Sequence, residues 1–511
     1  MKRIVLGGLA VLMLLVAGGV SAQTCPLNGT SSTKLVCLIP QVYGPFGFGD
    51  TSNPTQSVLS TGFGHEAHFS SDFLTTFAPI NEAVGIQVSQ LPIASPSSGI
   101  NFTYDPTLKT FAPTTDESLG PILGDRATTI GKHKIFVGFS YQYFNFDTID
   151  GKDMSSIPTV LQHQPFTPQP PQIPACPNQI ALTGTQYAGD PCFVRDYIQT
   201  TNNIDLTVHQ YTIYATYGIT NRLDFSVAIP ILNVRMRVTS NAQIVPNSAA
   251  PAALGSPGNV WHSFNSTNPA LTAQCATQTT GGNACLKATF SDTGSAVGLG
   301  DVVLRGKYTL YKGERLSIAG GLDVRLPSGD ELNFLGSGTT GVKPFGVISY
   351  RARFSPHAEA GYEVNGDSTL AGTNIVGGTT GTPVAKGGLP NRFLYTAGVD
   401  VRVVTRMTVA FDIYGQRLFG TPELVSQPYT DHGNCSGPTN GAALGCQVYT
   451  AGTTHPDIGT NVTDVNITGA SLGLKYRAWG RLVLTGNVLL KLDEGGLRSR
   501  AVPLFGASYS F

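Results

Sequence analysis

The chain has 511 residues, with 32 Lys+Arg against 32 Asp+Glu, 13% charged residues and 60 glycines. The even charge balance gives no basic footprint for nucleic acid. Beyond the N-terminal leader no apolar run reaches the roughly 20 residues of a helical span, which excludes a helical membrane protein.

The leader reads Lys2-Arg3, an apolar run from Ile4 to Val16, then Val20-Ser21-Ala22, and predicts an exported chain cleaved after Ala22. Cys25, Cys37, Cys176, Cys192, Cys275, Cys285, Cys435 and Cys446 fall into four close pairs, each enclosing a short loop. In an exported protein without C-x-x-C, local disulfides are expected rather than a metal site.

Residues 23 to 60 are irregular and rich in Gly, Pro and Ser. From 67 to 91 the pattern changes: Phe69, Phe73 and Phe77 recur every four residues, and Asn81 is placed to cap a turn in which Ile80, Val84, Val88 and Leu91 share a side. Two short amphipathic helices are expected, forming a plug that buries its stripe in the lumen of a barrel built from the rest of the chain, with a periplasmic cap as the alternative. A hairpin at Ile100 to Phe111, around Asp105-Pro106, leaves the strand count between 12 and 14. The division expected is a signal peptide at 1–22, an N-terminal segment with plug helices at 23–120 and a transmembrane barrel at 121–511.

From Lys134 onward the chain alternates. Val302, Leu304, Gly306, Tyr308 and Leu310 lie on one face against Asp301, Arg305, Lys307 and Thr309 on the other. Strands are expected at 134–146, 204–217, 223–236, 299–311, 315–326, 341–351, 356–365, 392–402, 407–417, 466–477, 481–491 and 501–511. Short and long connections alternate between them, as short periplasmic turns and long outer loops do. The last strand ends on Phe511, which suits the C-terminal signature read by the barrel-assembly machinery. The fold expected is all-β: an antiparallel transmembrane β-barrel of about 12 (12–14) strands with an N-terminal, partly helical plug, in the bacterial outer membrane.

The phrases at 121 to 150 (PILGDRATTIGKHKIFVGFSYQYFNFDTID), Gly298 to Lys307 (GLGDVVLRGK) and Leu326 to Phe345 (LPSGDELNFLGSGTTGVKPF) resemble a barrel family described as putative MetA-pathway of phenol degradation. That family is similar to outer-membrane transporters of long-chain fatty acids and aromatic hydrocarbons. The resemblance implies passive uptake of small hydrophobic or aromatic compounds, with outer-membrane lipid and a small apolar ligand as partners. The alternative is a structural or adhesive surface barrel that acts through its disulfide-tied loops.

Other motifs carry less. Gly336 to Gly341 spells G-x-G-x-x-G, but it lies between two strands with no helix to bind a phosphate. His65 and His68 lack a third metal partner, and the spacing of Asp147, Asp150 and Asp153 fits no calcium loop. No catalytic group, metal or cofactor is expected. The inward set Asp301, Arg305, Lys307, Asp323, Arg325, His357, Glu359, Glu363, Asp400, Arg402, Asp412, Lys475 and Arg477 mixes both signs. Counting about Gly313 puts Asp301 opposite Arg325 and Arg305 diagonal to Asp323, as cross-strand ion pairs. Apolar side chains change face on two neighbouring strands at Gln210 and Pro230, counted as opposite each other about Thr220, and a proline interrupts the ladder there. A bulge is expected, which either shapes the barrel or gives it a lateral opening for an apolar solute.

Overall fold

In the computed structural model the described residues are 31–44, 80–88, 118–162, 196–247, 262–373, 385–431 and 451–511, with 102–105, 110–113 and isolated positions 25, 47, 57–59, 69, 91 and 260. Twelve antiparallel strands close on themselves: β1 Ile135–Phe146, β2 Tyr197–Gly218, β3 Leu223–Val245, β4 Val302–Lys312, β5 Leu316–Leu326, β6 Gly341–Tyr350, β7 Phe354–Asn365, β8 Arg392–Val404, β9 Met407–Ser426, β10 Ile458–Trp479, β11 Leu482–Lys491 and β12 Ala501–Ser510. Each pairs with its chain neighbours, and β12 pairs with β1 from Leu504↔Gln142 to Ser510↔Phe136. Closure leaves no barrel edge unpaired, the condition for strands to cross lipid. The hairpin Phe102–Asp105 and Thr110–Pro113 pairs only with itself, so the barrel has twelve strands rather than fourteen.

The lipid-facing band is visible on every strand. On β1 it is Ile135, Val137, Phe139, Tyr141 and Tyr143; on β2 it is Tyr217, Ala215, Ile213 and Tyr211. Nine residues from Ile135 to Tyr143 match what a tilted strand needs to span. Tyr311, Tyr350, Trp479 and Phe511 stand exposed at the short-turn end, and Tyr211, Tyr362 and Phe393 at the other. Such girdles mark the two interfaces of a transmembrane barrel.

Above that band β2, β3, β9 and β10 run on for many residues, and their faces exchange polarity. Ile204, Leu206 and Val208 on β2, with Leu232, Val234, Met236 and Val238 on β3, point inward and are buried. Asp205, Thr207 and His209, with Asn233, Arg235 and Arg237, point outward. The even-numbered residues face inward along the whole of both strands, so no phase slip occurs. The register from Tyr197↔Val245 to Gly218↔Asp224 is unbroken, and Pro230 faces Thr212 while Gln210 faces Leu232. The expected bulge between Gln210 and Pro230 is therefore corrected: the exchange of faces marks where the wall leaves lipid and enters water.

Pro230 does sit at an irregularity, on its other edge. An additional strand, Lys287–Leu299, pairs with the upper part of β3 from Ile231↔Leu299, whereas β4 pairs with the lower part from Val303↔Ala228. Between these pairs β3 advances three residues and its neighbour four, so the extra residue of a bulge falls at Gly300–Val302. There Gly300 N donates to Pro230 O at 2.8 Å.

The upper lumen is packed with the N-terminal segment. Leu35, Leu38 and Ile39 are buried, Tyr43 shares a 2.6 Å hydrogen bond with Ser240, and its ring meets Phe290 edge-on. Cys25–Cys37 and Cys275–Cys285 are disulfides, as expected. The other four cysteines lie outside the described residues, as do Phe73, Phe77, His65 and His68.

Candidate functional site

Helix 80–88 lies inside the barrel, one of the two plug helices expected. Ile80, Ala83, Val84, Ile86 and Val88 are all buried, so the helix is covered on more than a single stripe. Gly85 faces Phe334 and Leu370, and Gln87 Oε1 accepts from Leu497 N. Asn81 belongs to the helix itself rather than capping it.

A second inner element was not anticipated. Residues 118–133, without regular structure, cross the short-turn end of the lumen as a floor. Leu119 N donates to Thr408 Oγ1 (2.8 Å), Ala127 N to Ser349 Oγ (3.1 Å) and Ile130 N to Asp224 Oδ2 (2.9 Å). Thr309 Oγ1 donates to Ala127 O (2.7 Å). An irregular backbone is tolerated at this depth because protein groups satisfy it. The floor enters β1 through Gly131, at φ 96°, whose carbonyl lies so close to Gly218 that a side chain there would collide with it.

The floor and the wall are joined by ions. Asp125 receives Lys307 Nζ at 3.1 and 3.2 Å and Arg305 Nη1 at 3.2 Å. Arg126 Nη2 reaches Asp400 at 2.8 Å, with Ser118 Oγ bonded to both. His357 contacts Asp412 at 2.7 Å and Asp400 at 3.3 Å. Lys475 Nζ donates to Pro121 O. The sequence signal for all this is Asp125-Arg126, two opposite charges in a stretch that immediately precedes the first strand.

Higher on the wall, Arg305 grips Asp323 with two bonds of 2.7 and 2.8 Å, and Lys343 reaches the same carboxylate at 3.0 Å. Arg325 binds Asp301 (2.9 Å), Glu363 (3.0 Å) and Asn365 (2.6 Å), and also Ser337. Arg392 holds Glu363 at 2.9 and 2.7 Å. Both expected pairs therefore form, with their registers corrected: Arg305 is directly opposite Asp323, and Asp301 is diagonal to Arg325. The strands turn about Glu314–Arg315 rather than Gly313, as Lys312↔Ser317 shows, and the bulge between Thr309 and Tyr311 offsets only part of that difference. Ser337, inside the glycine-rich loop, donates its N–H to Asp301 at 2.8 Å, which gives that loop a structural role. Arg477 stands apart; among the described residues it makes no ion pair.

Between helix and floor lies a cavity of about 280 Å³. Val88 and Leu91 line it from the N-terminal segment, Leu123 from the floor, and Phe144, Phe146, Leu232 and Leu394 from the wall. Arg305, Asp323, Arg325, Lys343, Glu359 and Glu363 form its charged side, and both Gln210 and Pro230 reach it. Among the described residues no cluster of His, Cys, Asp and Glu could hold a metal.

The family described as putative MetA-pathway of phenol degradation matches residues 196–381. The chain resembles that family. Two of the three phrases that carry the resemblance, Gly298 to Lys307 and Leu326 to Phe345, fall inside the match, and the phrase at 121 to 150 falls outside it. No curated protein matches the sequence. Among solved structures, the COG4313 outer membrane channel from Pseudomonas putida F1 is 11% identical over 76% of this chain and 99% of that one, with a TM-score of 0.36. A Pseudomonas aeruginosa FadL homologue is 10% identical over 81% and 96% (TM-score 0.26). The Ralstonia pickettii toluene transporter TbuX is 9% identical over 75% and 90% (TM-score 0.24). The architecture above rests on this chain's own strand register.

Proposed function

We propose that this barrel is a channel of the bacterial outer membrane for passive uptake of small hydrophobic or aromatic compounds, and not an enzyme. The observation that carries the reading is the cavity: it lies inside a lipid-embedded wall, between a buried helix and a floor, and one side of it is apolar. An open water channel would need a wider barrel. Pockets that take small molecules are largely apolar with a few placed polar groups, which is this composition. The resemblance to the family described as putative MetA-pathway of phenol degradation agrees with it. Barrel-assembly machinery acting on the strand that ends at Phe511 belongs to the same reading.

We further place the exit of an apolar solute at the seam between Pro230 and Gly300. The bulge there weakens the wall at cavity height, and Pro230 has no N–H to give a ladder. Gln210 keeps a lining role only.

Uptake of toluene into proteoliposomes, corrected for empty liposomes, tests the channel: a protein-dependent rate is expected, and equal rates would end the reading. Gly300→Val, whose side chain would press on Pro230 and Leu335 O, should slow uptake if the seam is the exit. An unchanged rate would direct the path through the floor.

A further inference from the structure

We infer that Lys343 and Glu359 form a subsite for one neutral hydroxyl group, so that the solutes favoured are small apolar molecules bearing an O–H. The inference rests on the uptake reading above and names the solute class within it.

Among the charges that line the cavity from Asp301 and β4–β8, these two differ from the rest. Arg325 spends its guanidinium on Asp301, Glu363, Asn365 and Ser337. Arg305 and Arg392 each close a two-pronged grip on a carboxylate. Lys343 has one close anion, Asp323 at 3.0 Å. Glu359 has only distant ones, Arg305 Nη2 at 3.6 Å and Lys343 Nζ at 3.9 Å, beyond hydrogen-bond reach. An ammonium carries three donors and a carboxylate about four acceptor positions, so both retain capacity. Both are largely buried, with 14% and 13% of their side chains exposed, and both face the cavity.

One oxygen at about 2.8 Å from each would bridge the 3.9 Å gap. It must accept from the ammonium and donate to the carboxylate, and a hydroxyl does both. A protonated amine cannot accept, a carboxylate would meet the like charge of Glu359, and a hydrocarbon satisfies neither group. Room for the arrangement comes from Gly361, where a side chain would come within 3.1 Å of the Lys343 stem. Leu394, opposite Gly361 on β8, and Leu123 of the floor supply apolar surface for the rest of the solute.

The test is a ligand-observed fluorine NMR titration of the full chain in detergent, against protein-free micelles. Its probes are 4-fluorophenol, fluorobenzene and 4-fluorobenzoate. Wild type should bind 4-fluorophenol at least about tenfold tighter than the other two, the low end of what a hydrogen bond to a charged group contributes. Glu359→Leu and Lys343→Met should bring the preference over fluorobenzene close to one, and Glu359→Gln, which keeps an acceptor and the volume, should retain part of it. Heat-modified mobility on gels confirms that each variant is folded. Equal wild-type binding of phenol and hydrocarbon, or an undiminished preference in folded Glu359→Leu, overturns the subsite and leaves the channel standing. Binding of no probe overturns the subsite, while toluene uptake independently reports whether the channel reading survives.

Discussion

The lower and upper halves of the wall are built from the same strands with opposite rules. Below Gln210, β2 turns Tyr211, Ile213 and Tyr217 outward and Gln210, Thr212 and Thr216 inward. Above it, Thr207 and Asp205 face out while Val208, Leu206 and Ile204 face in. The backbone does nothing at the boundary; its register with β3 is continuous. What changes is the surroundings. Lipid outside and ions inside give way to water outside and a packed N-terminal segment inside. Polarity along such a strand therefore reports its surroundings, and a change of face need not signal a slip.

The largest effect is expected at the floor. Asp125→Ala leaves Arg305 and Lys307 without their floor anion, and loss of one member of a buried ion network costs about 3–5 kcal/mol. We expect a lower unfolding midpoint and a higher single-channel conductance in planar bilayers. The exposed pair Arg417–Asp464 lies on the upper outer surface, and its removal should leave the unfolding midpoint close to that of wild type. Equal effects at the two places would contradict the assignment of a dry floor and a wet upper wall.

Next in size is the lipid boundary itself. Ile213→Arg puts a cation within the apolar band and should cost about 2–4 kcal/mol in a reversible unfolding titration in liposomes. Thr207→Arg, six residues up the same face, should fall within about 0.5 kcal/mol of wild type. A large penalty at Thr207 would raise the membrane boundary by two outward positions.

Much of this was legible in the sequence. All twelve strands are found at the expected places, because alternation in lipid is strict and the short turns punctuate it. The extended upper portions were shortened or misread, since the sequence does not say which medium a face meets. The ion pairs of Arg305 and Arg325 were legible as pairs but not in register, because residue type does not say that the strands turn about Glu314–Arg315 rather than about Gly313. The floor was missed for a different reason. Residues 118–133 have no period, and only the contacts they make reveal what they do; Asp125 and Arg126 become informative once Arg305, Lys307 and Asp400 are seen around them.

The smallest expected effect lies inside the lumen. Helix 80–88 carries one acid, Glu82, among buried Ile80, Ala83, Val84 and Ile86, and burial pushes its carboxyl from an ordinary 4.5 up to about 7. The docked helix therefore favours the neutral acid. Because the docked value lies above the undocked one, the contribution to docking is fully present below about pH 4.5 and is lost as pH rises through 7. Amide hydrogen exchange across 80–88, corrected for the intrinsic pH dependence, should show weaker protection at pH 8 than at pH 5.5. Glu82→Gln should remove the difference by keeping the side chain neutral throughout. The stretch Asp125–Ala127 of the floor, held by Arg305, Lys307 and Asp400, should keep its protection over the same range. If the floor loosened in step with the helix, the two would form one unit rather than independent closures above and below the cavity.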